Sequence, residues 1–217
     1  MNLQKKWLFI LLGIVVIGSM FAEKLVKFYF DWIWFVNHQI DSVFWTIILS
    51  QWGFGLATGV FFFIFTCFPL KRIFDRSSHM PVLLSETVRR ELPLLDFLAG
   101  NLKKLMFFGP LALAVMTGLI IGQKWELLQL YSNAVPFGSE DPIFGNDYSF
   151  YLFTLPLLNL GKSILWEILV ILGIGTGLIF FLKQFVYFGP SGIVMQQEAR
   201  RPLSFLAFYF LVLMAME

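Results

Sequence analysis

Glu167 is the residue whose surroundings demand most explanation, because it interrupts the apolar run from Pro156 to Leu182. Counted from Pro156 at ~1.5 Å per residue it lies ~16 Å along a helix, near the middle of a bilayer. A carboxylate there is costly and calls for a partner, a cavity or a proton path. Lys162 is the other ionisable group of this run. It lies about 140° around the helix from Glu167, so the two are poor partners, and its longer stem can snorkel outward. Glu167 has two readings: a functional carboxylate lining a cavity, or a polar group in interior packing.

A second set of polar residues lies between Pro136 and Phe150. Glu140, Asp141 and Asp147 are hard oxygen ligands of the kind calcium takes, but their spacing matches no EF-hand loop. Asp141 before Pro142 reads instead as a turn opener, and Asp147 as a helix N-cap. Turn formers alternate here with large aromatics, which is not the composition of a flexible linker. The expectation is an ordered loop with Asp141, Pro142, Phe144, Gly145, Asp147 and Phe150 as its interaction residues.

Other chemistry has little to stand on. His38 and His79 fall in opposite loops, and Cys67 is the only cysteine. The sequence has no phosphate-binding glycine loop with its lysine, no nucleophile elbow and no histidine pair for zinc or haem. Neither catalysis nor a metal or cofactor is expected.

The elements that must position these groups follow from composition. Of 217 residues, 58% are hydrophobic and 14% charged, against roughly 25% charged in soluble domains. Phenylalanine alone supplies 27 positions. That much apolar surface excludes disorder and an ordinary soluble enzyme. A net charge of +2 gives no argument for nucleic acid. The fold class expected is all-α: an integral membrane helical bundle with four complete spans and a truncated fifth. The spans fall at about 7–30, 42–69, 105–123 and 156–182, with 203–217 incomplete. Met20-Phe21-Ala22 is a poor cleavage site, so the first is read as an uncleaved anchor. The fifth run is too short to cross, which predicts that the chain is part of something longer.

Orientation follows from the basic residues. Lys5 and Lys6, the segment 71–104 with Lys71, Arg72, Arg76, Arg89, Arg90, Lys103 and Lys104, and then Lys183, Arg200 and Arg201 alternate with spans. Those segments are expected in the cytoplasm, with the N-terminus inside and 124–149 as an extracytoplasmic loop. Glu23, Asp31, Asp41, Glu126, Glu140, Asp141 and Asp147 all fall on the other side. Ser85–Leu92 is predicted as a short helix with Arg89 and Arg90 on its wet face, and Trp125–Tyr131 as an interfacial one. Three small-residue seams, Gly55/Gly59, Gly118/Gly122 and Gly173/Gly177, predict close helix packing. Gly109-Pro110 predicts a kink or a delayed helix start.

The run from Asp141 through Gly145-Asn146-Asp147-Tyr148 to Pro156 resembles the hallmark stretch of a bacterial membrane family, uncharacterised protein family 0182 (UPF series). Asp31-Trp32-Ile33-Trp34-Phe35 and Val43-Phe44-Trp45-Thr46 are similar to that family's first outer loop and second span. The resemblance implies a multi-spanning N-terminal region that precedes a large extracytoplasmic domain, and it carries over no catalytic or ligand residues. The expected function is the membrane-embedded part of a larger envelope protein in the cell membrane, with the lipid bilayer and an outer domain or protein as partners. The alternative is a transport or channel component that uses Glu167, with Lys162 as the second candidate residue of that run.

Overall fold

Apolar runs leave the backbone one way to satisfy its own N–H and C=O groups without water, and that is helix. The computed structural model describes residues 3–77, 91, 93–183, 185–189 and 192–216, and most of them are helical. In chain order the elements are α1 (Leu3–Asn37), α2 (Asp41–Arg76), α3 (Pro93–Gly100), α4 (Leu102–Gly122) and α5 (Trp125–Ser132). A π-helical turn (Phe150–Thr154), α6 (Leu155–Leu182), strands β1 (Val186–Gly189) and β2 (Gly192–Met195), and α7 (Gln197–Ala215) follow. The chain divides into two compact units, residues 1–50 and 51–217.

In the first unit α1 ends in a tight reversal. Gln39 takes a left-handed φ of 57°, and the Ile40 N–H returns to the Phe35 carbonyl at 3.1 Å. The reversal folds the buried Phe44 against Phe28 and Phe35, with ring centroids 5.3 and 5.6 Å apart.

The second unit is organised around one backbone-to-backbone crossing. A Cβ on Gly55 would stand 2.6 Å from the Gly118 carbonyl oxygen, and one on Gly118 would stand 2.7 Å from that of Gly55. Gly59 approaches Ala114 and Gly122 approaches Gln51 in the same way, at 3.0 and 2.8 Å. Two of the predicted seams are therefore the two sides of a single α2–α4 contact, the close approach that small residues permit in lipid. The third seam behaves differently. Among the described residues a Cβ on Gly173 or Gly177 would meet nothing within 4 Å, whereas Gly175 packs against Leu70. Phe62, Leu70, Ile168, Leu172 and Ile179 fill the core between these helices.

Pro110 does not break α4, which runs unbroken from Leu102 through it. Proline removes the N–H that would have bonded the carbonyl four residues earlier. That carbonyl, of Met106, is faced by Cys67 Sγ of α2 at 4.0 Å. At the other end of α6 the buried Lys183 ammonium donates to the Ser77 carbonyl and lies 4.7 Å over the Phe74 ring. A cation thus sits at the negative end of α2.

Two expectations need correction. The described residues hold three helices long and apolar enough to cross a membrane, Asp41–Arg76, Leu102–Gly122 and Phe150–Leu182, rather than four spans and a truncated fifth. The expected first span lies within α1, but most side chains from Leu8 to Phe21 fall outside the described residues. The expected fifth belongs to α7, whose first turns carry Glu198, Arg200 and Arg201 and dilute its apolar character. The helix expected from Pro156 reaches back to Phe150 through the π turn, where the Leu155 N–H bonds the Phe150 carbonyl. Pro156 has no N–H to continue the ordinary ladder, and the ladder widens just before it. The all-α class holds: among the described residues the fold is helical except for one short hairpin, in which β1 and β2 pair antiparallel with Val186 opposite Met195. The helix expected at Ser85–Leu92 and His79 lie outside the described residues, apart from Glu91.

Candidate functional site

Glu167 has a partner that the sequence reading missed. The Thr117 hydroxyl of α4 donates to Glu167 Oε1 at 2.9 Å. Thr117 itself is buried and sits beside Gly118 on the helix that the glycine crossing draws in. Its position next to a small-residue seam was the available signal, since a hydroxyl there is held close to a neighbouring helix. The bond also fixes the level of Glu167. Thr117 precedes Gly122, the last residue of α4, by about 8 Å of helix rise, and follows Leu102 by about 22 Å. Glu167 therefore lies nearer the loop-side end of α4 than the middle expected from counting along α6 alone. Its side chain is otherwise exposed on the surface of the chain. Lys162 is half-buried, farther toward the loop and on another side of the helix.

The loop between α5 and the π turn is built on two carboxylates. Asp147 Oδ1 accepts the N–H groups of Phe137 at 3.1 Å and Ser149 at 2.7 Å, and Oδ2 accepts that of Gly138 at 2.8 Å. The Ser149 bond is the N-cap geometry expected of Asp147. Hydrogen bonds from the Ser149 hydroxyl, then from these backbone groups, hold its carboxyl down at about 2. Asp141 Oδ2 accepts the Phe144 N–H at 2.8 Å and the Tyr151 hydroxyl at 3.1 Å. Those donors, the Phe144 N–H first, hold the Asp141 carboxyl below its ordinary value.

The backbone closes around both residues. Asp141 and Asn146 pair at 2.8 Å, the Gly145 N–H returns to the Asp141 carbonyl at 2.8 Å, and Glu140 bridges to Asp147. Gly138 and Gly145 take φ of 72° and 68°, a region glycine enters without strain. The carboxylate oxygens are thus directed at N–H and O–H donors within the loop. At its tip the loop presents two apolar side chains outward, Ile143 at 79% exposed and Phe144 at 74%, among exposed polar residues such as Ser139, Glu140 and Asn146. Pro142 is exposed beside them, while Phe150 is half-buried where the π turn starts. His38 plays a local part in the first unit, its Nδ1 2.8 Å from the Trp34 carbonyl oxygen.

Residues 8–217 match the family described as Uncharacterised protein family (UPF0182). A UPF0182 protein of Saccharopolyspora erythraea is 32% identical over 99% of this chain, and the match covers 22% of that protein. One from Geobacter sulfurreducens is 31% identical over 89% of the chain and 22% of its own length. One from Moorella thermoacetica is 34% identical over 84% of the chain and 20% of its own length. This chain spans about a fifth of the length of these curated relatives. No solved structure matches it. With a family match that runs over nearly its whole length and carries the Asp141–Asp147 loop and the glycine crossing within it, the chain belongs to uncharacterised protein family UPF0182.

Proposed function

We propose that this chain is the membrane-embedded anchor of a longer envelope protein in the cell membrane, with its N-terminus in the cytoplasm. On this reading the 133–149 loop is outside and receives an extracytoplasmic domain or a partner protein. The observation that carries the reading is the loop itself. Asp147 and Asp141 hold it rigid, and it offers Ile143 and Phe144 to the surroundings instead of folding them inward. A preorganised apolar tip loses little freedom when something docks on it. No catalytic step, metal or cofactor enters this function.

The experiment is a paired substitution, Ile143→Ser with Phe144→Ser, in the full-length protein in its own membranes. Docking of the extracytoplasmic part is read by chemical cross-linking and by its resistance to added protease. The expected result is weaker cross-linking and faster cleavage with membrane insertion unchanged. Unchanged cross-linking and protection would remove the loop from the anchoring role.

A transport or channel component is the second reading, and the exposure of the Glu167 carboxylate is what favours it. Glu167→Gln keeps the shape and the acceptor for Thr117 while removing the charge. Loss of ion or proton flux in vesicles with the protein still folded supports transport, and full tolerance of the change supports the anchor.

A further inference from the structure

Beside the glycine crossing, α2 and α4 leave an apolar groove of about 330 Å³. Leu56 and Val60 of α2 and Val115 and Leu119 of α4 form its walls. At its near end Phe63 meets Phe107 edge to face, with ring centroids 5.7 Å apart. The two helices keep one antiparallel register along it: Gly55 faces Gly118, Gly59 faces Ala114 and Cys67 faces Met106. Continued by one more turn, that register sets Lys71 at the level of Leu102, with Lys104 about 3 Å of helix rise nearer the groove. Lys71 follows Val60 by eleven residues, and Lys104 precedes Val115 by eleven. Eleven residues are close to three turns, so both cations fall on the groove's own face. Ile64 and Phe108, both exposed, carry the apolar surface from the groove to them. Both lysines are exposed, and among the described residues neither side chain has a hydrogen-bond or ion-pair partner.

An apolar slot that ends in two unpaired cations at a membrane boundary has the layout of a lipid, chain along the slot and anionic headgroup at its end. Val60 lies ~16 Å of helix rise from Lys71, about half of a ~30 Å hydrocarbon core, so a chain from that leaflet reaches the groove. Charge decides among the occupants. The acids of α1 cannot serve, wherever that helix packs. Glu23 lies ~21 Å of rise from the end of α1 and Lys71 ~45 Å along α2 from Asp41, which leaves more than ~10 Å between them in every arrangement. Asp31 is nearer still to the reversal. A second copy docked on the same face would bring the same two lysines. The bilayer itself supplies an anion at that level without any further chain. We propose that this groove binds an anionic phospholipid, with one acyl chain between Val60 and Val115 and the phosphate held by Lys71 and Lys104. Neither the direction in which α2 crosses nor docking on the 133–149 loop enters this inference, which needs only the chain in a bilayer.

The test places benzoyl-phenylalanine at Val115 in the full-length protein, reconstituted in vesicles of phosphatidylcholine and phosphatidylglycerol. Irradiation followed by mass spectrometry gives the ratio of the two lipid adducts. The expected ratio favours phosphatidylglycerol about tenfold over its share of the vesicle, the scale of two cations near a headgroup. It should fall to the vesicle's own ratio in Lys71→Gln with Lys104→Gln. It should stay high in Lys71→Arg with Lys104→Arg, and in Lys124→Gln beyond the other end of α4. High salt should lower it in the parent lysine background, which tests the charge even where the double glutamine variant fails to insert. The same probe at Ile174, an exposed position of α6, should give the vesicle's ratio. Equal enrichment at both positions, enrichment that survives the double glutamine variant or high salt, or its loss in Lys124→Gln overturns the proposal. So do cross-links from Val115 to α1, to a second copy or to another polypeptide segment in place of lipid.

Discussion

Thr117 and Glu167 join α4 to α6 through a single hydrogen bond of 2.9 Å, and that bond sets the level of the one acidic side chain between Tyr148 and Glu198. The glycine crossing makes it geometrically available. Gly118 lies in backbone contact with Gly55, which fixes α4 against α2, and the hydroxyl of the preceding residue is then aimed at α6. Thr117→Val keeps the shape and deletes the donor. It should destabilise the protein by about 1 kcal/mol, the scale of interhelical hydrogen bonds in membranes. Unfolding in mixed micelles checks the size. A double-mutant cycle with Glu167→Gln checks that the loss belongs to this pair, and strict additivity would show that it does not.

The glycines divide into two classes with opposite expectations. Gly118→Ala would put a Cβ 2.7 Å from the Gly55 carbonyl oxygen, so α2 and α4 must part. The expected cost is about 1–3 kcal/mol, and more for Gly118→Leu. Gly173→Ala and Gly177→Ala meet open space and should leave this chain's own packing unchanged, with a small gain in helix propensity. Folded yield and thermal stability in detergent compare the four directly. Equal losses in both classes would contradict the crossing.

Much of this was legible because membrane helices follow from composition and small-residue spacing alone. The three apolar helices, the short helix α5 and the turn chemistry of Asp141 and Asp147 all follow from local residue types. Which glycine seam meets which was not legible, because spacing marks a face but not its partner. The same limit hid Thr117 from Glu167, Tyr151 from Asp141 and Lys183 from Ser77, whose partners lie on other elements or in a folded loop. The reach of the last span back to Phe150 was missed for another reason. Pro156 reads as a helix start, whereas a π turn lets the helix pass it.

Lys183 should act as a clamp on the end of α2. Its ammonium donates to the Ser77 carbonyl, and burial pushes its own proton affinity down. Lys183→Met keeps the buried stem and removes both the donor and the charge at the helix terminus. The cap is worth about 0.3–1 kcal/mol. The readable effect is local: the Ser77 N–H, bonded to the Ile73 and Phe74 carbonyls, should exchange with deuterium faster than in the parent. Unchanged exchange in that last turn would mean that packing alone holds it.

Asp147 predicts an acid limit for the loop. Its carboxyl is held at about 2, below the ordinary 3.8, so the folded loop favours the ionised form. A depressed folded value stabilises the fold fully above the ordinary value, and that stabilisation is lost as the pH falls through the folded one. The loop should therefore keep its structure down to about pH 4, weaken below that, and lose the carboxylate's contribution near pH 2. The Phe137, Gly138 and Ser149 amides report it directly, because all three donate to this one side chain. Asp147→Asn replaces one acceptor oxygen by a donor nitrogen, so at neutral pH it should release at least one of those amides and remove the acid transition. If the parent and Asp147→Asn showed the same amide pattern from about pH 5 to about pH 2, the Asp147 carboxylate would not be what orders the base of the loop, and the preorganisation of the tip would rest on Asp141 alone.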